Sequence, residues 1–145
     1  MTTETSGPTA KRTVRVLLAE ADQDVRERLA SHLSGLPSIE LVGAEATGNN
    51  AIVAAFRSRP DIVLLDLSMP DGERPVPDTI RHLQRVCPGV SVAMLVDKEA
   101  DARLTPALDA GARESLPKDV SPDGLEALLR RLGPNTFRSG KRPAE

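Results

Sequence analysis

The sequence predicts an α/β domain: a doubly wound parallel sheet with helices on both faces. Three observations carry that expectation. Five short runs rich in β-branched residues and Leu alternate with five segments of helical apolar spacing, a pattern that calls for right-handed crossovers and one parallel sheet. The run "DIVLLDL" (61–67) is apolar with no polar alternation, as a strand covered on both faces should be. Charged residues follow or close the first, third and fifth strand signals, and in such sheets ligands sit beyond the carboxyl ends of the strands.

The elements follow in order. "MTTETSGPTAKR" (1–12) is polar and rich in Thr, and reads as a disordered leader ahead of a domain at 13–133. "VRVLLA" reads as the first strand. After "EADQD", Val25, Leu29, Leu33 and Leu36 recur at helical spacing. "IELVGA" is the second strand and "NNAIVAAFRSR" the second helix, closed by Pro60, which disfavours helical geometry at Arg59. "DIVLLDL" is the third strand, followed by a weaker helix over 77–86. "VSVAMLV" is the fourth, followed by a helix over 100–110 interrupted by Pro106. A short strand is expected near 115–116. The last helix has the clearest start, with Ser121 as N-cap, Pro122 at the first helical position and Asp123 in the first turn. Leu125, Leu128, Leu129 and Leu132 form its apolar stripe, Gly133 and Pro134 end it, and 134–145 reads as a flexible tail or linker.

Composition narrows the function classes. The chain has 145 residues, one domain's length, with 39% hydrophobic and 28% charged residues. A net charge of -2 gives no electrostatic footprint for direct nucleic-acid contact, and Phe56 and Phe137 are the sole aromatics on which bases could stack. The lone Cys87 cannot form an internal disulfide and reads as a small buried hydrophobe. No apolar leader or bilayer-length span is present, so no membrane role is expected and the compartment is read as cytoplasmic. His32 and His82 fall in no nucleophile or metal spacing and read as helix-surface or packing residues.

The chemistry concentrates at one rim. Glu20 follows the first strand, Asp66 ends the third and Lys118 follows the fifth, so two acids and one base converge at the carboxyl edge of the sheet. An enzyme using that rim for a cofactor would need a glycine-rich phosphate cradle, which is lacking. The chain is therefore read as non-enzymatic.

"VRVLLAEADQDVRERLASHL", "RPDIVLLDLSMP" and "AGARESLPKDVSPDGLEALLRRL" together resemble the receiver domain of bacterial two-component response regulators, above all the subfamily fused to helix-turn-helix outputs. The resemblance covers roughly 14–132. It implies a flavodoxin-like (βα)5 sheet of strand order 2-1-3-4-5, and it places Asp66 at the phosphoacceptor position and Lys118 at the phosphate-facing lysine. It implies Mg²⁺ held by Glu20, Asp66 and the Ser68 backbone carbonyl, with Asp22 as a further ligand if the loop changes shape. Three family positions depart from the pattern: Ala21 replaces the second acid of the metal pair, Val96 the hydroxyl residue ending the fourth strand, and Ser115 the switch aromatic. Asp97 adds negative charge nearby, and "PDGERPVPD" (70–78) departs in length and glycine placement.

These departures set the functional expectation. Ala21 offers Mg²⁺ no side-chain oxygen, and Val96 puts a methyl where a phosphoryl oxygen expects a donor. The expected function is an atypical receiver acting through a protein partner, a histidine kinase or an output protein, with Mg²⁺ weakly bound and phosphorylation at Asp66 weakened or absent. A family dimer and output surface runs along the last helix, where Arg130 and Arg131 are exposed by periodicity, so a homodimer is the accompanying expectation. Two rivals stand beside it: a conventional Asp66 phosphoacceptor, and the regulatory domain of a DNA-binding transcription factor whose output lies outside this chain.

Overall fold

The computed structural model describes residues 13–70, 74–98 and 101–133. The expected leader (1–12), the expected tail (134–145) and the middle of the "PDGERPVPD" loop lie outside them. Ten elements alternate: β1 (Val14–Ala19), α1 (Gln23–Ser34), β2 (Ile39–Glu45), α2 (Gly48–Ser58), β3 (Ile62–Asp66), α3 (Val76–Val86), β4 (Ser91–Val96), α4 (Leu104–Asp109), β5 (Glu114–Pro117) and α5 (Pro122–Leu132). All pairings are parallel and the order is β2-β1-β3-β4-β5. The fold is the flavodoxin-like (βα)5 sheet that the sequence predicts.

Local chemistry sets the helix boundaries. Asp22, Thr47 and Ser121 each turn a side-chain oxygen onto a free amide of the first turn, accepting from Val25, Asn50 and Gly124 at 3.1, 3.0 and 3.0 Å. Arg59, ahead of Pro60, leaves α2 in the left-handed region at φ 54. Helix α4 covers six residues, fewer than the 100–110 expected from sequence. Pro106 stands at its third position, inside the first turn, where its missing N–H breaks no intrahelical bond.

Strand alternation feeds two cores. Val16, Leu18, Ile62, Leu64, Ala93 and Leu95 face one side, against α1 and α5. Leu17, Ala19, Val63, Leu65, Val92, Met94 and Val96 face the other, against α2, α3 and α4. Every residue of β3 and β4 is buried, so the strands that carry the rim residues are held from both faces.

Candidate functional site

Registry brings the rim residues together. Ala19 pairs with Leu65 across β1 and β3, so Glu20 and Asp66 leave the sheet side by side. Val96 pairs with Pro117 across β4 and β5, and the Lys118 amide donates to the Val96 carbonyl at 3.0 Å, which aims the next side chain back over β4. Lys118 Nζ then lies 2.8 Å from Asp66 Oδ1 and 3.1 Å from Glu20 Oε2.

Both carboxylates are out of water, Glu20 at 0% and Asp66 at 1% exposure. Asp66 is well supplied with donors: Ser68 N–H at 2.8 Å on Oδ1, Ala21 N–H at 3.2 Å on Oδ2, and the lysine. Glu20 Oε2 accepts from the Asp22 amide at 3.1 Å and from Lys118, while Oε1 is the buried side-chain oxygen among the described residues that has no partner. Two acids and one lysine leave the cluster one negative charge in excess when both acids are ionised. Burial pushes the Glu20 carboxyl up to about 7, aided by the Asp66 charge, although the Asp22 amide and Lys118 pull it down. Burial works against the Lys118 ammonium, yet hydrogen bonds and charges from Asp66 and Glu20 outweigh it and hold its pKa above the ordinary lysine value.

The remaining sequence-predicted residues take distinct places. Asp22 is committed to the N-cap of α1 through its Oδ1; an Asp just ahead of the first apolar-periodic residue is the sequence signal for that role. Ala21 contributes its backbone, with the amide on Asp66 and the carbonyl accepting from Arg26 at 3.4 Å. Val96 is 1% exposed and belongs to the core of the α2–α4 side. Ser115 pairs with Met94 on the edge strand and is half-buried, Ser68 is half-buried, and Asp97 is exposed. His82 Nδ1 lies 3.1 Å from the Asp78 carbonyl within its own helix, and buried Cys87 donates its thiol to the Pro60 carbonyl.

Three arginines at this rim carry no sequence signal. Arg26 donates to the Glu20 carbonyl at 2.9 Å and Arg28 to the Lys118 carbonyl at 2.9 Å, tying α1 to both charged loops. Arg103 Nη2 reaches Ser68 Oγ at 3.2 Å from the other side.

The donor set fits a weak site for a hard divalent cation. Mg²⁺ takes oxygen ligands and is commonly held by one or two carboxylates, completing its shell with water and substrate phosphate. Glu20 and Asp66 supply two carboxylates, and the unpartnered Glu20 Oε1 is an oxygen free to ligate. Among the described residues no group of three or more His, Cys, Asp or Glu is placed to hold a metal.

A five-stranded 2-1-3-4-5 sheet with two acids and a lysine clustered at its carboxyl rim is the arrangement of a receiver-type signalling domain. The chain belongs to the response regulator receiver domain family, whose model matches residues 16–130. It is 35% identical over 137 residues to a protein-glutamate methylesterase/protein-glutamine glutaminase of Pseudomonas putida, covering 89% of this chain and 36% of that protein. It is 32% identical over 119 residues to the response regulator protein VraR of Staphylococcus aureus, covering 82% of this chain and 56% of that one. The chain thus spans about a third of the first relative and just over half of the second. Among solved structures it resembles the signal receiver domain of NarL from Mycobacterium tuberculosis, with a TM-score of 0.74 at 24% identity over 83% of this chain and 97% of that one. It also resembles the receiver domain of the sensor histidine kinase PA1611 from Pseudomonas aeruginosa, solved with a magnesium ion in its active site cleft. There the TM-score is 0.72 at 21% identity over 83% and 97% of the two chains. No helix among the described residues is long and apolar enough to cross a membrane.

Proposed function

We propose that this receiver domain signals mainly through contact with a protein partner, a histidine kinase or an output protein, and that Mg²⁺-dependent phosphorylation at Asp66 is weakened. The observation that carries the reading is a pocket half complete. Lys118 bridges Asp66 and Glu20, whereas Ala21 and Val96 bring neither oxygen nor hydroxyl to it.

In the transfer itself an Asp66 carboxylate oxygen attacks phosphorus, the bond from phosphorus to the donor breaks, and an acyl phosphate remains. Asp66 is held for that attack by the Ser68 and Ala21 amides. Lys118 lies on the same oxygen as the Ser68 amide and offers its charge to the incoming phosphoryl group. Mg²⁺, when bound, supplies the rest of the neutralisation, with Glu20 and Asp66 as its carboxylates and the Ser68 carbonyl beside them. The buried Val96 methyls give the phosphoryl oxygens no hydrogen bond, and an unsatisfied acceptor there disfavours the product.

A second reading, the conventional phosphoacceptor, is supported by the unpartnered Glu20 Oε1, which would make a full cation site useful. Intact-mass analysis after incubation with acetyl phosphate and Mg²⁺ separates the two. Little modification beyond an Asp66→Asn blank is expected, and ready stoichiometric phosphorylation would overturn the weakened-site reading. For partner contact, the edge of α5 with exposed Arg130 and Arg131 is the surface we assign to an output protein or a second copy of the chain; direct nucleic-acid contact is no part of the reading.

A further inference from the structure

Arg103 is the residue just before α4, and its guanidinium is held in a defined place. Nε and Nη2 donate to the two Asp101 carboxylate oxygens at 3.0 and 2.6 Å, and Nη2 also reaches Ser68 Oγ at 3.2 Å. Ser68 in turn donates its amide to Asp66 Oδ1. One residue therefore separates this guanidinium from the Asp66 carboxylate. Charges acting on it include Asp101, Asp66 and Asp97, and the cation Lys98 lies near Asp101.

Three other cations at the rim are already engaged. Lys118 bonds both carboxylates, and Arg26 and Arg28 bond backbone carbonyls. Arg103 differs because its side chain is the solvent-facing member of its ion pair. The Arg103 side chain is 59% exposed while that of Asp101 is 16% exposed and also accepts from the Arg103 amide at 2.9 Å, so the guanidinium can change partners while Asp101 stays in place. A phosphoryl-like anion on Asp66 presents several oxygens in the geometry a guanidinium binds two at a time.

We infer that Arg103 is an anion-binding residue of this pocket, which exchanges Asp101 for an anion bound on Asp66 and so supplies the contact that Val96 withholds. The inference rests on the reading of Asp66 as the anion-accepting position. It also supplies a mechanical output. Ser115 has no large side chain to swing inward, but Arg103 is covalently continuous with α4, so its exchange of partners shifts the first turn of that helix. Beside it lies a half-open cleft of about 280 Å³ whose lining includes Leu67, Met69, Val76, Pro106 and Arg103 itself, room for the start of α4 to move without overpacking.

The test uses beryllofluoride with Mg²⁺ as the probe, read by ¹⁹F NMR for affinity and by the amide shifts of Leu104 and Ala107 for α4. Arg103→Ala should weaken beryllofluoride binding by at least about tenfold, the effect of losing hydrogen bonds to a charged group, and abolish the α4 shifts. Asp101→Asn should strengthen binding, since it removes the competing carboxylate; a purely structural role for the pair would give loss in both variants. Val96→Thr added to Arg103→Ala should recover affinity without recovering the α4 shifts. Unchanged binding in Arg103→Ala, or weaker binding in Asp101→Asn, overturns Arg103's part and leaves Asp66 as it stands. The same follows if the parent binds nothing while Ala21→Asp with Val96→Thr binds. If that double variant also fails to bind, the reading of Asp66 falls and this inference with it.

Discussion

The side of the sheet packed by α1 and α5 is built from different residues than the side packed by α2, α3 and α4. On the first, Leu18, Leu64 and Leu95 of the strands meet Leu29 and Leu33 of α1 and Leu125, Leu128, Leu129 and Leu132 of α5. On the second, small residues recur, with Ala51 and Ala55 on α2 and Ala107, Ala110 and Ala112 on and after α4. That side also holds the cleft beside Arg103, and its helices carry the exposed large hydrophobics Val53, Phe56 and Leu108. Interlocked leucines resist displacement, because any shift opens voids and forfeits contacts. Alanines beside an open cleft leave a helix fewer interlocked contacts to break when it shifts. The difference teaches where this domain has room to move: Val96 and α4 belong to the side with alanine contacts and the open cleft, and the leucine side is the fixed frame.

The largest effect should come from one pair of truncations. Leu129→Ala, on the leucine side, should destabilise toward the upper end of the roughly 2–5 kcal/mol seen for buried Leu or Met truncation. Met69→Ala, which lines the cleft, should fall at or below the lower end of about 2 kcal/mol, because solvent already borders part of its surroundings and the truncation leaves no closed cavity. Urea melts of both variants measure it. Equal losses, or the reverse order, would break the contrast between the two sides.

A smaller effect is expected from pH at the rim where the sides meet. The Glu20 carboxyl lies at about 7 in the fold against 4.5 as its ordinary value, so the folded state binds this proton more tightly than the unfolded chain. The stability this group contributes is complete below the ordinary value and is lost as pH rises through about 7. Thermal melts should therefore show a decline across that window that Glu20→Gln removes. Millimolar Mg²⁺ should raise Tm more at about pH 8 than at about pH 5, because at the lower pH the ion must displace a proton. A larger Mg²⁺ gain on the acidic side would contradict the charge excess assigned to the pocket.

Much of this was legible in the sequence for physical reasons. Unbroken apolar runs such as 61–67 can be satisfied only in a strand covered on both faces, and the alternation with helices then leaves few topologies. Glu20, Asp66 and Lys118 were legible as a group because strand ends in a parallel sheet share one edge. What escaped was whatever depends on side-chain direction. Lys118 bridges Glu20 as well as Asp66, and the orphaned Glu20 Oε1 has no sequence signature. Asp22 illustrates a competition: the same carboxylate reads as a spare metal ligand by proximity and as an N-cap by spacing, and the free amide of Val25 takes it. Arg103 was hidden in a charged stretch without periodicity, and its reach to Ser68 spans two loops far apart in sequence. Helix α4 was overestimated because the apolar pattern near Pro106 does not mark where the first turn begins.

The central claim is that this pocket keeps the receiver geometry and lacks two stabilising groups. Its most direct test is phosphate incorporation from acetyl phosphate into the combined variant Ala21→Asp with Val96→Thr, beside each single variant, the parent and the Asp66→Asn blank. The new carboxylate and hydroxyl would stabilise different oxygens of one phosphoryl group, so the two changes together should give clear incorporation at Asp66 and each alone much less. Robust incorporation in the parent, equal to that of the double variant, would contradict the account, and so would a double variant that takes up no phosphate.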